Sequence, residues 1–170
     1  VVGRLGGGAG EVRELRILNR VVRWAADGLR YEADPRHAEI VVRGLGAVRA
    51  ASAPGTPSRD MHPPEGNQAL RVPEALASLF LSYAARANYL DLDRADLAQA
   101  TKELCRRMRE PTWADVGALR RVVAYLAGSP RLVYEYLWQA PADIQVFADT
   151  DYAGCVATRR STSGGCMMRG

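Results

Sequence analysis

The sequence predicts an α+β fold, with strands toward both ends of the chain and helices between them. Apolar residues mark two strands near the N-terminus, recur every three or four positions between 73 and 127, and alternate again from Leu132. A stretch rich in Pro, Gly and Ser at 47–72 separates the first strands from the helices and is predicted to be a linker. With 170 residues, 48% of them hydrophobic, the chain is long enough for one ordinary core or two small lobes.

Residues 1–46 are predicted to form a β-hairpin followed by a short helix. Two runs with apolar positions, 11–24 and 28–33, flank an Ala-Asp-Gly sequence that suits a tight turn. Asp34 then provides an N-cap, and Pro35 is suited to the first helical position because its missing N–H is not needed there.

Residues 73–130 carry the spacing of three helices. The first is predicted from Pro73 to about Tyr89, and the second begins near Asp93, which is expected to cap it. Thr112 is expected to cap the third helix, which a Gly-Ser-Pro sequence ends.

Residues 131–170 return to a period of two and are predicted to form antiparallel strands. One of these strands ends on Asp149 and Asp151. Residues two apart on a regular strand share a face, so both carboxylates could reach one metal ion. A turn that begins after Asp149 would instead direct Asp151 elsewhere, and Asp in turns commonly binds nearby backbone N–H groups.

The charge of the chain permits nucleic acid as a partner. The net charge is +4, and all of its 23 basic residues except Lys102 are arginine, which makes bidentate contacts with phosphate. A GC-rich genome would produce the same excess. Two clusters are candidate nucleic-acid contacts. The first is Arg106, Arg107 and Arg109, whose alternative role is to complement a helix dipole. The second is Arg159, Arg160 and Ser161, whose alternative is a solvated hairpin.

Several functional classes lack their sequence signals. The three cysteines do not have the spacing of a zinc site or a disulfide framework, and His37 and His62 have no partners at metal-ligand spacing. There is no phosphate loop, dinucleotide fingerprint or Ser–His–Asp arrangement. No run approaches the roughly 20 apolar residues of a membrane span, and the N-terminus lacks a signal-peptide core, so we expect an intracellular protein without a membrane partner.

Four sequence blocks occur in the order of a known family. They read DRADL at 93–97, RRVVAYLAGSP at 120–130, ADTDYAG at 148–154 and RRSTSGG at 159–165. In order and spacing they resemble the blocks TRPDI, RYLKGTP, SDADWAG and RRSTSG of copia-type retrotransposon Pol polyproteins. The sequence YEADPRHAE at 31–39 also resembles the segment that follows the polymerase palm in such transposable elements.

The resemblance implies a segment that runs from the end of a reverse transcriptase into a ribonuclease H domain. Residues 1–46 would follow the palm, 47–72 would be a linker, and 73–130 would form a thumb or connection region beside the template–primer. Residues 131–170 would be the first strands of an incomplete ribonuclease H domain.

The resemblance also implies a site and a setting. Asp149 takes the place of the first catalytic, Mg²⁺-binding carboxylate of ribonuclease H, and Asp151 matches the second Asp of that block as a further metal candidate. The implied partners are an RNA–DNA hybrid or template–primer, and the implied location is a cytoplasmic particle or the nucleus.

The sequence also departs from the family. The palm motif, aromatic-x-Asp-Asp, and the remaining ribonuclease H acids are missing, so we expect a fragment that is inactive alone. Ala95, Ala127 and Tyr152 replace the Pro, Lys and Trp of the family blocks, which fits a decaying copy. Two alternatives stay open: a non-catalytic nucleic-acid-binding module that uses the arginine clusters, and an unrelated small helical interaction protein. The host, template preference and oligomeric state are not predicted.

Overall fold

The chain folds into two compact units. The computed structural model describes residues 3–45, 53–58, 65–140, 143–155 and 158–169. The first unit holds the described residues up to Tyr136, and the second begins at Leu137. The described residues combine antiparallel strands, near both ends of the chain, with helices between them, so the predicted α+β class is confirmed. His62 and parts of the predicted linker lie outside the described residues.

A four-stranded sheet forms one side of the first unit, in the order β1-β2-β3-β4. Its strands are β1 (Glu14–Ile17), β2 (Arg20–Trp24), β3 (Gly28–Ala33) and β4 (Tyr134–Leu137). The predicted hairpin is confirmed, because β2 and β3 pair antiparallel on either side of the Ala-Asp-Gly turn.

The run 11–24, predicted as one strand, is two strands. Leu18 and Asn19 have φ angles of 48° and 61°, and together they form the two-residue turn between β1 and β2. Asn accepts this left-handed backbone readily, but Leu does so rarely, and for that reason the turn has no sequence signal at position 18.

The described residues of the first unit also form four α-helices. They are α1 (Arg36–Gly44), α2 (Glu74–Asp91), α3 (Ala98–Arg106) and α4 (Trp113–Gly128), with single 3₁₀ turns at Gly66–Ala69 and Ala95–Leu97. The three central helices are therefore where the periodicity predicts them. Within the described part of the chain, none of the helices combines the length and apolar character that a membrane crossing requires.

Of two residues predicted to cap central helices, Thr112 does so and Asp93 does not. Thr112 and Asp115 form a capping box at the start of α4, as expected for Thr112. Asp93 does not cap α3. It is buried, and its Oδ1 accepts hydrogen bonds from the guanidinium of Arg20 (2.8 Å) and the hydroxyl of Tyr31, because the strands rather than the helix end lie beside it.

The hydrophobic core lies among the four helices. Phe80 of α2, Leu104 of α3 and Leu126 of α4 are almost fully buried, as are Val41 of α1 and Leu97 before α3. Burial of such side chains contributes about 1.5–3 kcal/mol each, so this cluster supplies the main stabilisation of the first unit.

The second unit is an antiparallel hairpin of β5 (Ile144–Thr150) and β6 (Ser163–Arg169). Every residue of both strands is exposed. Cys166 pairs with Phe147 and Cys155 lies in the loop, so these two cysteines do not form a cross-strand pair, and neither forms a disulfide.

Candidate functional site

Asp149 lies near the end of β5 with its carboxylate exposed. Its Oδ1 accepts a 2.8 Å hydrogen bond from the Thr150 amide. Across the hairpin it faces Gly164, where an added Cβ would meet no atom within 4 Å. Space is therefore open beside the carboxylate that the sequence identifies as the candidate catalytic acid.

Asp151 lies just past the end of β5. Its Oδ1 accepts a hydrogen bond from the Thr162 amide, and its own amide donates to the Thr162 carbonyl oxygen at 2.9 Å. Of the two arrangements that the sequence leaves open, the carboxylate thus adopts the one in which it binds the backbone of a turn.

The described residues do not fit the Mg²⁺ site that the family resemblance implies. Among them, no three His, Cys, Asp or Glu side chains are close enough to hold a metal ion together. Two-metal phosphoryl-transfer sites depend on several shared carboxylates. The carboxylate of Asp149 accepts a hydrogen bond only from the adjacent Thr150 amide among the described contacts, whereas that of Asp151 is hydrogen-bonded across the loop to Thr162. No reaction step can be derived from this set.

The loop between β5 and β6 carries a pair of arginines. Arg159 has a φ of 55°, and its amide donates to the Cys155 carbonyl at 2.7 Å. Arg160 is held by its carbonyl, which accepts from the Cys155 amide at 3.2 Å. Both side chains are exposed, and no carboxylate of the described residues lies within ion-pair distance of either. The Ser161 hydroxyl accepts the Ala153 amide at 3.0 Å and so stabilises the loop.

The other predicted cluster surrounds the end of α3. Arg106 donates to Glu103 at 3.0 Å, and Arg107 lies 3.9 Å from the carboxylate of Asp115. Arg109 is exposed, without a carboxylate partner in the part of the chain that the structure describes. Only Arg106 lies in the last turn of the helix, where a positive charge favours the helix dipole.

A buried arginine, which the sequence reasoning missed, joins two of the family blocks. The guanidinium of Arg94 binds Asp96 at 2.9 and 2.7 Å and the Ser129 carbonyl at 2.9 Å. The Tyr125 hydroxyl donates to the same carboxylate at 2.8 Å. Burial would raise the pKa of Asp96, but the hydrogen bonds from Arg94 and Tyr125 hold it below its ordinary value. The Arg-x-Asp spacing of the first block was the signal available for this pair.

Two further carboxylates are buried and held by arginines. Glu32 accepts two hydrogen bonds of 2.7 Å from Arg131 and another from Arg23. Asp34 accepts 2.9 and 2.7 Å hydrogen bonds from the guanidinium of Arg36. Because buried charges are costly unless paired in this way, these acids act as structural groups of the first unit.

The fold and these contacts define an α+β protein with structural ion pairs inside and an exposed acid and arginines on its C-terminal hairpin. Three curated proteins are similar to it. The chain is 39% identical to the Uncharacterized mitochondrial protein AtMg00810 of Arabidopsis thaliana over 94 residues, which cover 54% of the chain and 38% of that relative. It is 31% identical to the Uncharacterized mitochondrial protein AtMg00240 of Arabidopsis thaliana over 80 residues, which cover 47% of the chain and 72% of the relative.

The third relative is the Secreted RxLR effector protein 161 of Plasmopara viticola, 37% identical over 71 residues, or 42% of the chain and half of that protein. No family model and no solved structure matches. The extent and identity of the AtMg00240 match show that the chain belongs to the same family as that protein. The chain spans only 38% of the length of AtMg00810.

Proposed function

We propose that the chain is a segment of a copia-type retrotransposon Pol polyprotein, running from the end of the reverse transcriptase into the opening of the ribonuclease H domain. The parent protein synthesises DNA on an RNA template and hydrolyses the RNA strand of RNA–DNA hybrids. One observation carries this proposal: the four family blocks contact each other in pairs. Arg94 joins the block 93–97 to 120–130, and the Asp151–Thr162 hydrogen bonds join 148–154 to 159–165.

Within this proposal Asp149 is the catalytic carboxylate of the parent and its ligand for Mg²⁺. The parent needs further acids that the described residues do not supply. Asp149 has the two properties that such a role requires, an exposed carboxylate and a fixed place on a strand. In the parent this carboxylate would supply a negatively charged oxygen at a defined position, as a ligand for Mg²⁺.

The chain by itself is expected to be inactive. The test is incubation of the purified protein with an RNA–DNA hybrid and Mg²⁺, next to the matched variant Asp149→Asn. We expect the same background cleavage rate for both proteins, because one carboxylate cannot organise a two-metal site. Mg²⁺-dependent cleavage that is present in the wild type and absent in the variant would contradict this expectation.

The flanking genomic sequence tests the family assignment itself. An aromatic-x-Asp-Asp motif upstream, in the same reading frame, and further Glu and Asp residues downstream are the expected result. A reading frame that closes near Gly170 and has no palm motif upstream would favour an unrelated interaction protein instead.

A nucleic-acid-binding module without catalysis is the second candidate. The observation in its favour is that Arg109, Arg159 and Arg160 are exposed without carboxylate partners among the described residues. Replacing Arg159 by Ala is expected to lower the slope of log K against log salt by about 0.9 for the lost phosphate contact. Arg106→Ala is the control and should change it less, since Arg106 already binds Glu103. Fluorescence anisotropy with a labelled hybrid between about 50 and about 200 mM salt measures both slopes. Equal slopes would exclude a phosphate contact of Arg159, and no binding at low salt would exclude the module.

A further inference from the structure

We infer that Asp151 is a positioning residue, whose carboxylate fixes the loop between β5 and β6 so that Arg159 and Arg160 are presented together to the phosphate backbone of a nucleic acid. The inference rests on the proposed function and deepens it, because it assigns a role to the second acid of the Asp149-x-Asp151 pair. That role is mechanical: the carboxylate holds a loop in place.

Asp151 makes two hydrogen bonds to Thr162 on the opposite side of the loop. Its Oδ1 accepts the Thr162 amide, and its amide donates to the Thr162 carbonyl at 2.9 Å. The pair therefore continues the ladder of the hairpin by one step beyond Thr150, where regular strand pairing ends. A charged acceptor makes such a bond stronger than a backbone carbonyl would.

Gly154 provides independent support for this role. A Cβ at that position would overlap the Oδ2 atom of Asp151. A side chain at 154 would therefore require the Asp151 side chain or the backbone beside it to shift. The absence of a side chain at Gly154 leaves room for the Asp151 carboxylate in its observed position.

The hydrogen bonds of Asp151 begin a series that extends to the arginines. The Ala153 amide donates to Ser161 Oγ at 3.0 Å, the Cys155 amide donates to the Arg160 carbonyl at 3.2 Å, and the Arg159 amide donates to the Cys155 carbonyl at 2.7 Å. Each successive bond involves backbone closer in sequence to Arg159 and Arg160. Fixing the backbone in advance reduces the entropy that is lost when the guanidinium groups bind.

The chemistry of the loop favours a phosphodiester backbone as its partner. Two adjacent guanidinium groups present planar donor forks that match phosphate oxygens, and neither is neutralised by a carboxylate of the described residues. A nucleic acid strand offers a row of phosphates at a regular spacing, so adjacent arginines can each find one. An acidic protein segment is the competing partner, and the experiment includes it.

The test compares Asp151→Asn with Asp151→Ala in the whole chain. Asn keeps an Oδ1 acceptor for the Thr162 amide but removes the charge, whereas Ala removes both. The first readout is the proton chemical shift of the Thr162 amide, which reports the hydrogen bond directly. The second is the affinity for a labelled RNA–DNA hybrid. Asp143→Asn is the matched control, since it removes an equal charge from an exposed position just before β5.

We expect Asp151→Asn and the control Asp143→Asn to keep the Thr162 amide chemical shift of the wild type and to bind the hybrid within about twofold of the wild type. Asp151→Ala should change the Thr162 amide chemical shift and bind about tenfold more weakly, because the loop backbone must then be ordered on binding. The double variant Arg159→Ala with Arg160→Ala should lose binding while keeping the shift.

Each opposite result overturns a defined part of the inference. If Asp151→Asn weakens binding as much as Asp151→Ala, the charge of Asp151 acts directly and the positioning role is wrong. If Asp151→Ala changes the Thr162 amide chemical shift but binds the hybrid as tightly as the wild type, the hydrogen bond of Asp151 does not position the arginines for binding. If polyglutamate competes as well as unlabelled hybrid, the partner class is wrong. If the Thr162 shift behaves as expected but no variant binds a hybrid, the proposed nucleic-acid function fails while the loop contact stands.

Discussion

Arg94 is the largest of the fully buried side chains that the structure describes, with 2% of its surface exposed. Its Nε and Nη2 atoms donate to Asp96 and to the Ser129 carbonyl, so the guanidinium lies between the turn before α3 and the end of α4. A lysine could not replace it, because one ammonium group cannot match the bidentate carboxylate and the carbonyl at once.

Replacement of Arg94 by Leu is expected to lower the free energy of unfolding by about 3–5 kcal/mol. The substitution leaves Asp96 half-enclosed and without its cation, and breaking one side of a buried pair has a cost of this size. Urea denaturation followed by circular dichroism gives the measurement. Arg109→Leu is the control and should stay within about 0.5 kcal/mol, because that side chain is exposed. Similar losses in both variants would show that the ion pair is not what matters.

Protonation of single carboxylates makes stability depend on pH. Hydrogen bonds from Arg36 lower the pKa of Asp34, and those from Arg131 and Arg23 lower the pKa of Glu32 against the opposing effect of burial. A pKa that is lower in the folded state contributes stability above the unfolded value, and that stability is lost as the pH falls through the folded value.

We therefore expect the free energy of unfolding to be flat above about pH 5 and to fall progressively below about pH 4, where unfolded carboxylates titrate. Burial raises the pKa of Asp91, which has the opposite sign and moderates the fall. Urea midpoints at several pH values test this. Glu32→Gln should reduce the slope, and an unchanged slope in that variant would show that Glu32 does not carry the effect.

At the scale of elements, the caps and turns decide where helices and strands end. The α4 helix begins with a reciprocal pair: the Thr112 amide donates to Asp115 Oδ2 at 2.8 Å, while the Thr112 side chain receives the Asp115 amide. This box satisfies backbone donors that a helix N-terminus would otherwise leave unpaired.

Thr112→Ala is expected to destabilise the protein by about 1 kcal/mol, the usual cost of losing a side-chain cap. Thr112→Ser keeps the hydroxyl and should restore most of that loss. Thermal denaturation of the three proteins at neutral pH provides the comparison. If Ser destabilises as much as Ala, the methyl group rather than the cap accounts for the effect.

Local signals explain which elements could be predicted from the sequence. The α4 cap and the turn between β2 and β3 depend on residues close together in the chain, so their residue types suffice to locate them. The turn at Leu18 escapes prediction because an unfavourable residue occupies a left-handed position. The prediction that Asp93 caps α3 is wrong, because Asp93 binds Arg20 and Tyr31, which lie on strands distant in sequence.

At the scale of the whole molecule, the two units differ in what stabilises them. The first contains the helical core, whereas the hairpin of the second has every strand residue exposed. Two strands without a covered face are marginally stable in water. The hairpin around Asp149 was predictable as a local feature, but the buried ion pairs of the first unit depend on the folded topology and were not.

Amide hydrogen exchange should separate the two units. We expect the amides of β5 and β6 to exchange through local opening, much faster than those in the middle of α4, which should exchange only on global unfolding. Exchange measured by NMR at increasing urea concentrations would show this as two groups of slopes. Equal protection in both units would mean that the hairpin is covered as firmly as the helical core.

The ion pair between Glu32 and Arg131 joins positions 99 residues apart, and that between Arg20 and Asp93 spans 73. Both pairs cross the connection that includes residues 53–58. If the backbone were cut there, the first piece would carry Arg20 and Glu32 and the second would carry Asp93 and Arg131. Each piece would therefore expose charges opposite to those of the other. The two pieces would recognise each other by charge as well as by their apolar faces. These two long-range ion pairs would then help the pieces of a split protein to associate specifically. Association should be strongest at low salt, where electrostatic attraction extends furthest.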